Sequence, residues 1–136
     1  VRTAASNRPT PLDSLDRDGY VVLPSILDAA FLREALEKIG SLLESAQREP
    51  TWKSGGTLHL ELPKDDATFA AIGSRPAIVA AISHLLGPDY ANPRISYRAP
   101  LSGFGAQSLH RDHIVPARPG DCRVATVMVA LVDFIS

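Results

Sequence analysis

A single cysteine, Cys122, stands in the 136-residue sequence, so no internal disulfide framework can form. Its setting, PGDCRVATV, reads as a turn entering a strand rather than a catalytic pocket, and one reduced thiol fits a cytoplasmic protein. Long apolar runs are missing too. The longest, Ala125–Val132 and Ala77–Ile82, fall well short of the roughly 20 residues that a membrane helix needs, and the first residues lack the apolar region of a signal peptide. Neither charge sign dominates: 14 basic and 15 acidic residues are scattered along the chain for a formal net charge of −1, which gives no basic face for nucleic acid or anionic lipid. A glycine-rich phosphate loop is absent. The triplet His110-Arg111-Asp112 matches the start of a protein-kinase catalytic loop, but Ala117 stands where that loop needs its magnesium-binding asparagine.

What remains is a chain with 45% hydrophobic side chains, enough for one core and too short for two ordinary domains. Residues 1–14, small, polar and proline-bearing up to Pro11, are expected to be mobile, and residues 15–136 to form a single domain or part of one. Gly19 and Pro24 bracket a β-branched and aromatic run, Tyr20–Leu23, that suits a brief strand. From Asp28, a fair N-cap, Leu32, Ala35, Leu36, Ile39, Leu42, Leu43 and Ala46 recur three and four apart, which predicts an amphipathic helix over Asp28–Arg48.

The segment TLHLEL sets His59 and Glu61 against Leu58, Leu60 and Leu62, the alternation of a half-buried strand closed by Pro63. Two short helices should follow, Asp65–Ile72 and Ser74–Leu86, parted at Gly73; proline lies in the first turn of the second, which ends at Gly87-Pro88. Arg94–Ala99 alternates like a strand, and Arg123–Phe134 has the valine-rich composition of a long buried one. Helices first and strands after argue for an α+β fold, with N-terminal helices packed on one side of a mostly antiparallel sheet.

The segment GAQSLHRDHIVPARPGDCRVATVMVALVD carries the chemistry, with His110 and Asp112 two residues apart before the long strand. In an extended stretch, residues i and i+2 project to one side, so an imidazole and a carboxylate can take adjacent positions on one metal ion. Two histidines and a carboxylate on one face of iron(II) leave the remaining positions open, which requires a second, distant histidine. Alone, the triplet recurs by chance too often to decide, and a loop histidine beside charged residues is usually surface decoration.

Several pieces in order add weight: the opening DGYVVLP at Asp18–Pro24, the amphipathic helix after it, His110 and Asp112 behind a glycine-bearing loop, then a proline-containing loop and a long strand ending ALVD at Ala130–Asp133. Over Leu15–Ser136 the chain resembles the phytanoyl-CoA dioxygenase family of iron(II)- and 2-oxoglutarate-dependent dioxygenases. That resemblance implies a double-stranded β-helix, jelly-roll or cupin-like, with flanking helices. It implies iron on His110 and Asp112 plus a later histidine, 2-oxoglutarate chelating the metal, and an arginine beyond that histidine for the distal carboxylate. O2 and a small-molecule substrate complete the reaction, an oxidative hydroxylation. No histidine follows His113, and Arg118 and Arg123 precede the long strand, so the site is expected to be incomplete here and the fold truncated.

The resemblance also suggests Tyr97, larger than its neighbour Arg98, as the inward residue near the co-substrate. Gln107 can hydrogen-bond co-substrate or substrate. Phe104, between two glycines, and His113 and His59 are candidates to line the substrate pocket, although His113 reads also as an exposed side chain and the safer reading of His59 is a half-exposed strand histidine. Trp52 is a weaker loop candidate, and His84, late in a helix, is placed to meet that helix's last carbonyls. Two other readings stay open. One is a non-catalytic fragment whose unpaired strand edges allow a homodimer; the other is a cupin-like metal- or sugar-binding module using His110 and His113 without 2-oxoglutarate.

Overall fold

The computed structural model of the chain describes residues 10–46, 53–54, 57–91, 94–100, 103, 109–110 and 121–133. In chain order they form α1 (Pro11–Asp18), α2 (Ala29–Ala46), β1 (Lys53–Ser54), β2 (Thr57–Glu61), α3 (Ala67–Gly73), α4 (Pro76–Leu86) and β3 (Ser96–Pro100). The three strands make an antiparallel sheet in the order β1-β2-β3, so the α+β expectation holds. No single helix among the described residues is long and apolar enough to cross a membrane.

Helix α1 begins inside the segment expected to be mobile, and residues 1–9 lie outside the described ones. A reciprocal cap explains its start. The Asp13 amide donates to Thr10 Oγ1 at 3.2 Å while the Thr10 amide donates to Asp13 Oδ2 at 2.7 Å, with Pro11 preset at the first helical position. The hydrogen bonds from Thr10 hold the Asp13 carboxyl below the ordinary carboxylate range. Gly19 ends the helix at φ 77°, donating its amide to the Leu15 carbonyl at 3.0 Å. His84 reaches the same helix, its Nε2 lying 2.7 Å from Asp16 Oδ1, so it ties α4 to α1 rather than meeting its own helix end.

The expected strand at Tyr20–Leu23 is not there: the run pairs with no strand among the described residues, and Tyr20 and Val22 are exposed. Propensity alone does not supply a hydrogen-bonding partner. Asp28 does cap α2, accepting from the Phe31 amide at 2.8 Å. The apolar stripe of α2 then faces inward, with Ala35 and Ile39 buried and Leu42 and Leu43 packed on the core.

That core joins Ile39 of α2, Leu62 after β2 and Phe69 of α3, with Leu60, Ile95, Tyr97 and Leu131 against them. A polar tie holds the same helices from outside. Lys38 Nζ lies 2.9 Å from both carboxylate oxygens of Asp66, which also caps α3 by accepting from the Thr68 amide at 2.8 Å. The buried Thr68 hydroxyl donates to Glu34 at 2.6 Å.

Lys38, and after it the Thr68 amide, hold the Asp66 carboxyl below its ordinary range. A carboxylate with a lowered folded-state pKa adds stability above its unfolded value, and that stability is lost as pH falls through the folded value. Lys38→Met should therefore lower the melting temperature at neutral pH and have a smaller effect once Asp66 is protonated in strong acid. Thermal melts of both chains at pH 7 and pH 2 check this, and an equal loss at both would exclude the ion pair as the cause.

The expected long strand Arg123–Phe134 also fails to pair among the described residues, 121–133. Ala125, Val129 and Leu131 are half-buried whereas Val124, Met128 and Val132 are exposed, Met128 by 91%. Val127, between Ala125 and Val129, is exposed as well, so a strict strand alternation is not kept, and no ladder partner among the described residues covers the outer face.

Candidate functional site

The register of β2 against β3 sorts the site candidates by face. Leu58 lies opposite Ala99, and Leu60 opposite Tyr97; Leu60, Leu62, Ile95 and Tyr97 all pack on the helix-side core. With side chains alternating along each strand, the other face carries Thr57, His59 and Glu61 from β2, and Ser96, Arg98 and Pro100 from β3. The sheet is apolar toward the helices and polar away from them.

Tyr97, taken by size as the inward neighbour of the co-substrate, is thus placed among the core side chains behind the sheet, and Arg98 occupies the polar face opposite His59. Size does not separate the two, because the face covered by α2 and α3 also takes the larger, more apolar residue. On the polar face, Arg94 Nε lies 3.7 Å from Glu61 Oε1, an exposed pair. Arg98, Arg94 and Glu61 went unselected; the signal in the sequence was the alternation of TLHLEL and of RISYRA, read as two faces of one sheet.

His110 is exposed and follows Leu109, which is fully exposed. Asp112, Phe104, Gln107, His113 and Trp52 lie outside the described residues. Among the described residues, no three histidine, cysteine or acidic side chains gather closely enough to hold a metal ion. Arg123, one of the two arginines after the motif, is engaged locally: its Nε and Nη2 donate to Asp121 Oδ2 at 2.9 and 2.6 Å, which raises its pKa further.

The family model described as phytanoyl-CoA dioxygenase matches residues 15–135. The chain belongs to the phytanoyl-CoA dioxygenase family. No curated protein and no solved structure matches it. Membership of this family supports an oxygenase-type enzyme and frames the α+β architecture just described, with a helix layer behind one sheet face and polar side chains on the other.

The donor chemistry of the motif suits the metal that the phytanoyl-CoA dioxygenase family generally uses. An imidazole and a carboxylate are the ligand types of non-haem iron(II) sites.

Proposed function

We propose that the chain contributes His110 and Asp112 to the iron(II) site of a 2-oxoglutarate-dependent dioxygenase that hydroxylates a small molecule on a double-stranded β-helix scaffold, the rest of the site lying outside this sequence. Family membership over residues 15–135 carries this reading, because His110-x-Asp112 falls inside the matched span. His110 and Asp112 would hold the iron, the imidazole giving a neutral donor and the carboxylate a charged one. Iron and 2-oxoglutarate, when bound, supply the oxidising chemistry: the co-substrate and O2 yield succinate and carbon dioxide as one oxygen atom is inserted into a substrate C–H bond. The chain contributes positioning and exclusion of water. Relatives that halogenate carry a small residue in place of the carboxylate, so retention of Asp112 favours hydroxylation.

Supplied with iron(II), ascorbate, O2 and 2-oxoglutarate, a chain extended to carry the later histidine and arginine that the resemblance implies is expected to form succinate slowly even without its own substrate. A chelator should stop it. Succinate formation unchanged by the chelator, or none at all under these conditions, would count against the proposal.

A further inference from the structure

The polar sheet face sets Arg98 directly opposite His59. The Leu62 amide donates to the Ile95 carbonyl at 2.9 Å, which makes that pair the hydrogen-bonded one and, by alternation, makes Glu61–Ser96 and His59–Arg98 non-hydrogen-bonded. In such pairs the opposed side chains come closest, about 4.5–5.5 Å between Cβ atoms. Arg98 and His59 therefore project side by side from the central strand and its neighbour.

Charge on this face is not balanced. Glu61 is the nearest diagonal carboxylate to Arg98, but Arg94 already lies 3.7 Å from it. Arg98 has no ion pair among the described residues. Arg94, Arg98 and Glu61 sum to one positive charge, which matches a monoanion better than a phosphate dianion. A guanidinium presents a planar pair of donors to the planar carboxylate, and the imidazole beside it can add a third.

We propose that Arg98 and His59 form a carboxylate-binding subsite for the primary substrate, which is accordingly a small molecule bearing a carboxylate. The proposal rests on the dioxygenase reading only in calling that ligand the substrate; the subsite itself needs no iron. It is tested on the metal-free chain by titrating propionate, propionamide and inorganic phosphate while following backbone and arginine Nε–H signals by NMR.

Propionate should shift the signals of residues 59 and 98, and Arg98→Met should weaken binding about tenfold or more, since hydrogen bonds to charged groups are the strong ones. Arg98→Lys, which keeps the charge but not the planar fork, should weaken it less. His110→Ala should leave it unchanged, which separates this subsite from the iron site. Equal shifts from propionamide, equal binding by phosphate, or undiminished propionate binding in an Arg98→Met chain that keeps its sheet signals would overturn the proposal. Displacement of propionate by 2-oxoglutarate would overturn its assignment to the primary substrate.

Discussion

Replacing Phe69 with alanine is expected to cost about 3–5 kcal/mol of folding stability, the usual penalty for emptying a buried aromatic site. Phe69 is 1% exposed and sits where α3 meets Ile39 of α2 and Leu62 after β2, so its ring joins the helix layer to the sheet. Few residues could take up the load. The buried hydrophobic side chains among the described residues are Leu15, Ala35, Ile39, Leu62, Phe69 and Ile78, and a domain's whole stability is only about 5–15 kcal/mol. Urea unfolding followed by circular dichroism should show a large fall in midpoint for Phe69→Ala. Phe69→Leu, which keeps most of the volume, should lose much less. A midpoint unmoved by the alanine change would mean that the helices and sheet do not share one core.

The elements that could be read along the chain were those whose local pattern and tertiary partner agree. The α2 stripe, the alternation of TLHLEL and the punctuation of α4 by Pro76 and Gly87 each became the element they suggest. Helix α1 was not assigned because only Leu12 and Leu15 offer an apolar stripe; its signal was the Thr10–Asp13 cap, worth more than periodicity in a helix of 8 residues. Tyr20–Leu23 and the 121–133 segment have strand composition without a paired neighbour among the described residues, and pairing is a property of two segments. The site shows the same division. Local spacing is enough to make His110 and Asp112 candidates, whereas choosing between Tyr97 and Arg98 requires knowing which sheet face the helices cover, a fact set by Ile39 and Phe69 far away in sequence.

The second large effect concerns the metal. Loss of a direct ligand should exceed the 10–100-fold penalty typical of disturbing a ligand's outer hydrogen-bond partner, so His110→Ala and Asp112→Ala should each weaken iron(II) binding by at least about a hundredfold. Asp112→Ala also removes the negative charge that offsets the cation. His110 is exposed and takes no part in the Phe69 core, so the unfolding midpoint of His110→Ala should stay near that of the parent chain.

Anaerobic titration with iron(II), with and without 2-oxoglutarate, of a chain extended to carry the later histidine and arginine that the resemblance implies measures this most directly. A weak visible charge-transfer band that needs both additions, and that is lost in His110→Ala and Asp112→Ala, is the predicted result. Iron binding indifferent to 2-oxoglutarate would point instead to a metal-binding module, and a band that survives both substitutions, or no iron binding at all, would contradict the placement of the dioxygenase site on His110 and Asp112.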